Sequence, residues 1–93
     1  MKTNDFIDES ILLEELKKKD VRAFAKLYND YSGDLLVLAF SLLNDAPQAI
    51  QNVDELFINL WEGNKFENIT PPIHNYLYNE IRKVCKITAL SAA

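Results

Sequence analysis

The run Ala49-Ile50-Gln51-Asn52-Val53-Asp54-Glu55-Leu56-Phe57-Ile58-Asn59-Leu60-Trp61 decides how this chain folds. Ala49, Val53, Leu56, Phe57 and Leu60 recur at gaps of three and four. That spacing sets them on one stripe of an α-helix, which should face a core. Gln51, Asp54, Glu55, Ile58 and Glu62 fall on the other side. A polar, acidic face with one branched apolar residue reads first as solvated surface. Its second reading is a docking surface for a partner.

Ahead of this helix a longer one is expected. Asp20 is its N-cap candidate, and the helix runs to about Leu43. Phe24, Leu27, Tyr28, Tyr31, Leu35, Leu38 and Leu42 form its stripe. Gly33 interrupts the pattern and weakens the helix there. Beyond Gly33 the segment is apolar nearly all round, with Leu36, Val37, Phe40 and Leu43 adding a second stripe. Such a segment needs cover on several sides, as the central helix of a four-helix domain would have. Any part left bare would be a partner site or an oligomer contact. Asn44 to Gln48 breaks the pattern and restarts it: Asp45 caps, Pro47 suits a first turn, and Gln48 completes a capping-box spacing.

Outward from these two helices the signals are shorter. Residues 1–8 carry no periodicity and are expected to fray. Asp8, Glu9 or Ser10 would cap a short helix carrying Ile11, Leu12, Leu13 and Leu16. Lys17, Lys18 and Lys19 close it, where cations suit the negative end of the helix dipole. After Trp61 or Glu62, Gly63 and Asn64 supply the left-handed conformation that ends a helix. Phe66 and Ile69 should anchor the loop 63–70 to the core. Thr70-Pro71-Pro72 signals a last helix. Its buried stripe is Ile73, Leu77, Ile81, Val84 and Thr88, and its outer face collects Asn75, Tyr78, Asn79, Arg82 and Lys86. That outer face reads either as solvated surface or as one that meets phosphates and stacks on unpaired bases.

Composition bounds what these helices can do. Ninety-three residues, 48% of them hydrophobic, suffice for one domain with one core. The two glycines and three prolines are few, which favours long regular elements. The longest apolar run, 35–43, is about half of what a membrane span needs. No signal peptide is read at the N-terminus, so a cytoplasmic protein is expected. One cysteine and one histidine exclude an internal disulfide and disfavour a zinc site. The net charge of −4 argues against indiscriminate nucleic-acid binding. The charge is uneven: residues 1–59 hold 6 Lys/Arg against 11 Asp/Glu, and residues 60–93 hold 4 against 3. Glycine-rich phosphate loops are absent, the carboxylates fall singly on helix faces, and His74 has no evident partner. Cys85 reads as a small packing residue. The expectation is a binding domain, neither an enzyme nor a cofactor protein.

Four segments, in order, resemble one family. Asp20-Val21-Arg22-Ala23-Phe24-Ala25-Lys26-Leu27-Tyr28-Asn29-Asp30-Tyr31 is similar to the opening of the extracytoplasmic-function (ECF) sigma factors of bacterial RNA polymerase. The apolar run to Leu43 and the break at Asn44-Asp45 follow as in that family. Ala49 through Trp61 resembles the family's Ala-Glu-Asp-Leu-Val-Gln-Glu-Val-Phe-Leu-Lys-Leu-Trp helix. Tyr76-Leu77-Tyr78 with Arg82 resembles the start of its last helix. The likeness spans roughly residues 10–87. It implies an all-α bundle of about four helices, sigma region 2.

In that family the helix like 49–61 docks on the β′ clamp helices of RNA polymerase. The loop and last helix read the non-template single strand of the minus-ten promoter element during melting. By resemblance, Gln51, Asp54, Glu55 and Ile58 are the polymerase-binding positions. Lys65, Phe66, Asn68, Asn75, Tyr78, Asn79, Arg82, Lys83 and Lys86 are the DNA-binding ones. An anti-sigma factor is a further partner that the resemblance admits.

The chain departs from the family at Ile50-Gln51, where Glu-Asp is usual, and at Asp54-Glu55, where Gln-Glu is usual. Lys83 stands where Asn is common, and Ile87 at an acidic position. These departures point to a diverged or specialised member. Nothing after Leu90 would form the family's C-terminal helix-turn-helix, so the expectation is a fragment or a stand-alone remnant. Two alternatives stay open: a sigma-like protein-interaction module without DNA binding, and a helical homo-oligomer packed through 35–43.

Overall fold

Periodicity becomes four helices among the described residues. The computed structural model describes the backbone of residues 5–91 and the side chains of residues 8–90. The helices are α1 (Asp5–Lys17), α2 (Val21–Leu43), α3 (Ala46–Glu62) and α4 (Ile73–Ser91), with a short 3₁₀ turn, Lys65–Asn68, between the last two. Among the described residues no strand is present, and the helices form one all-α bundle. Residues 1–4 of the segment expected to fray lie outside the described residues, and 5–8 are helical.

Each helix end has a cause. Asp20 accepts hydrogen bonds from the N–H groups of Arg22 at 2.9 Å and Ala23 at 3.3 Å, satisfying two donors that the first turn leaves unpaired. Asn44 ends α2 in the left-handed conformation at φ 53°, its N–H donating to Phe40 O at 2.7 Å. Asp45 then opens α3 by accepting from Gln48 N–H at 3.1 Å. Gly63 differs from expectation. Its φ is −81°, and Asn64, at φ 52°, takes the left-handed turn. Gly63 is required for space instead: a Cβ there would lie 2.8 Å from the Asn59 carbonyl oxygen.

The core is one cluster drawn from all four helices and the 3₁₀ turn, with α2 packed against α1, α3 and α4. The whole expected stripe of α3 is buried, and so are both anchors of the loop, Phe66 and Ile69. Burying side chains such as Phe57, Leu60 and Phe66 contributes about 1.5–3 kcal/mol each. On α2 the centre of the buried stripe is Ala23, Leu27, Leu35 and Ala39. Leu38 is only half-buried, and Leu42 points outward. Ala23 and Ala39 are buried there, where a small side chain lets a neighbouring helix pack closely.

Two long-range contacts set the ends of the bundle. Glu9 does not cap its own helix. Its Oε1 accepts from the Ile73 N–H at 2.8 Å, so α1 caps α4, while its Oε2 accepts from the Tyr31 hydroxyl at 3.4 Å. Lys19, in the left-handed conformation at φ 64°, serves the far end of α3 rather than the end of α1. Its ammonium donates to the Trp61 carbonyl and lies 4.5 Å from the centroid of the Trp61 ring.

Candidate functional site

α3 carries Asp54, Glu55 and Glu62 and no lysine or arginine. Its outward face is set by the residues left over once the apolar stripe is buried. Gln51, Glu55 and Ile58 are exposed there and Asp54 is half-buried, so the four expected polymerase-facing residues share one side of one helix. Gln51 Nε2 donates to Glu55 Oε2 at 3.1 Å, which fixes that pair on the surface. Asp54 turns toward α2 and accepts from the Tyr28 hydroxyl at 3.1 Å. That bond, then burial and the carboxylate's charge, raises the Tyr28 hydroxyl above its ordinary value.

α4 presents the opposite sign. Asn75, Asn79, Arg82 and Lys86 are exposed at spacings of four, three and four, which makes one continuous stripe. Arg82 Nη1 donates to Asn79 Oδ1 at 3.2 Å, holding the guanidinium along the stripe. Tyr78 flanks it half-buried, its ring in edge contact with His74 at 5.8 Å between centroids. Charged and amide donors in a row with an aromatic at the edge are suited to phosphates and unpaired bases.

The remaining expected DNA contacts do not join this stripe. Lys65 lines a small cleft of about 90 Å³ between α3 and α4, together with Glu55, Asn59, Tyr76 and Glu80. Lys83 turns to Glu80, 2.9 Å away, and this bond raises the lysine above its ordinary value. Asn68 is exposed on the 3₁₀ turn. Phe66 is fully buried, as its role as an anchor requires, and offers no surface to a ligand.

One polar residue escaped the sequence reading. Asn52 is buried between α3 and α4, where its Nδ2 donates to Thr88 Oγ1 at 3.1 Å and to Cys85 Sγ at 3.8 Å. Its register was a signal: Asn52 lies three residues after Ala49 and four before Leu56, on the buried stripe. Cys85 is buried beside it, as a small packing residue would be, and that burial raises its thiol. Among the described residues no cluster of three His, Cys, Asp or Glu side chains is placed to hold a metal. No helix among them is long and apolar enough to cross a membrane.

Comparison with protein-family models, with curated proteins and with solved structures finds no match to this chain. Fold and geometry define an all-α domain with an acidic helix face on α3 and a cationic, amide-rich stripe on α4.

Proposed function

We propose that this chain acts as a sigma region 2-like domain in the cytoplasm. It binds the β′ clamp helices of RNA polymerase through Gln51, Asp54, Glu55 and Ile58. It contacts the non-template strand of promoter DNA through Asn75, Tyr78, Asn79, Arg82 and Lys86, and it has no chemistry of its own. The observation that carries the reading is the division of labour between two helices. The polar and acidic positions of α3 share one face, while the donors of α4 line up as a stripe. The ordered likeness of residues 10–87 to the ECF family supplies the two partners.

A second reading is a protein-interaction module of the same ancestry that no longer opens DNA. It is favoured by the tie between Lys83 and Glu80, which leaves Arg82 and Lys86 as the cations of the stripe, and by the net charge of −4.

Fluorescence anisotropy of a labelled minus-ten non-template oligonucleotide, with and without the β′ clamp helices and at two salt concentrations, separates the two. Binding that needs the clamp helices, weakens with salt and falls on Arg82→Ala supports the first reading. Capture of the clamp helices without DNA binding supports the second. Failure of the folded chain to bind either overturns both.

A further inference from the structure

α2 and α3 leave a groove of about 330 Å³ open between them, lined by Leu36, Val37, Phe40, Ala46 and Ile50. Val37 is 71% exposed, Ile50 49% and Phe40 45%. These are gathered around one concavity rather than scattered, and a gathered apolar patch marks an interaction surface. Past Leu36 and Ile50 a narrower pocket of about 100 Å³ continues to Gly33 and Asp54. Nothing stands within 4 Å of where a Gly33 Cβ would be, so the missing side chain keeps this end open.

The charge around the groove selects its occupant. Residues 27–64 hold the whole lining of the groove and contain no Lys, Arg or His, against six carboxylates; the cations of α2, Arg22 and Lys26, lie before them. Asp34 sits one turn before Val37, Asp45 adjoins Ala46, and Asp54 lines the inner pocket. None of these three is in an ion pair among the described residues, whereas Asp30 is paired with Lys26. A second copy seated groove to groove would set acid against acid, with no cation among residues 27–64 of either copy to offset it.

We propose that this groove takes a cationic amphipathic helix from a partner protein. Its apolar residues, spaced three and four apart, seat between α2 and α3, and its Lys or Arg flanks meet Asp34, Asp45 and Asp54. The groove's apolar lining is distinct from Gln51, Glu55 and Ile58, while Asp54 is shared with the proposed polymerase face, so a substitution of Val37 and Phe40 tests the groove apart from that reading.

The test is calorimetric titration of the full chain with a synthetic Leu/Lys amphipathic peptide of about 18 residues, long enough to be helical, and with its Leu/Glu counterpart. The Lys peptide is expected to bind about tenfold or more tightly than the Glu peptide and to weaken with salt. The double substitution Val37→Ser, Phe40→Ser should reduce its binding by about tenfold or more, while Ile87→Ser, an exposed site on α4, leaves it unchanged. Amide chemical-shift mapping of the unsubstituted chain should confine the response to residues around 33–54. Equal binding of both peptides, no binding, shifts spread over α4, or binding unaffected by the double substitution would each overturn the proposal. So would a sedimenting dimer that the double substitution dissolves, which would make the occupant a second copy.

Discussion

Asn52 is a polar residue in an apolar seam, and its cost is met by two partners on the neighbouring helix. Asn52→Ala should destabilise the domain by about 1–2 kcal/mol, because it leaves a small void and removes the bond to Thr88. Urea unfolding followed by circular dichroism reads this directly. The two glycines should respond with opposite signs. Gly33→Ala adds a Cβ into open space inside a helix and should stabilise by about 0.5–1 kcal/mol. Gly63→Ala drives a Cβ against the Asn59 carbonyl oxygen and should destabilise. Thermal melts of the pair suffice, and a stabilised Gly63→Ala would refute the close-approach argument. Tyr31 gives a pH signature. Burial first, then the Glu9 charge, pushes its hydroxyl up to about 12. The folded state therefore keeps a proton that the unfolded chain releases near 10. The associated stability is complete below pH 10 and is lost as pH climbs toward 12. Tyr31→Phe should remove that part of the alkaline dependence, and ultraviolet titration of the unsubstituted protein should show a tyrosine ionising near 12 that the variant lacks.

At the scale of elements, the ends of helices are tied to other helices. α4 begins on a carboxylate from α1, and α3 ends on an ammonium from the α1–α2 turn. An anionic cap at an N-terminus and a cation at a C-terminus both oppose the helix dipole favourably. Glu9→Ala should cost about 1 kcal/mol, as loss of a cap does. Native-state hydrogen exchange should localise that loss to the first turn of α4 and to α1. Uniform loss of protection over the whole chain would show that Glu9 acts on global stability alone. Aromatic contacts around Trp61 reinforce the end of α3. Phe24 lies 4.7 Å and Phe66 6.5 Å from its ring centroid, so packing holds this end together with the Lys19 bond.

For the whole molecule the distribution of charge matters more than its sum. Residues 27–64 have no cation, while α4 holds Arg82, Lys83 and Lys86. If α4 meets DNA, its cations are not equivalent. Arg82→Ala and Lys86→Ala should each weaken single-strand binding and lower the salt slope by about one unit. Lys83→Ala should do so less, because its ammonium is held by Glu80. Equal effects at all three would show that the Lys83–Glu80 bond opens on binding.

The sequence by itself determined the four helices and the buried stripe of α3, because hydrophobic spacing and capping residues act over one or two turns. Asp20, Asn44 and Asp45 mark their boundaries for the same reason. Tertiary structure alone decided where long side chains end. Glu9 reaches a backbone group 64 residues away and Lys19 one 42 residues away, distances over which no spacing rule holds. It also decided that Ala39 is buried while Leu42 is exposed, since burial follows which face of α2 the neighbouring helices cover rather than the size of a side chain. Tertiary structure also separates Lys65 from the stripe of Arg82 and Lys86. Packing brings Glu55 and Glu80 to the cleft that Lys65 lines, whereas Lys83 meets Glu80 three residues back on its own helix.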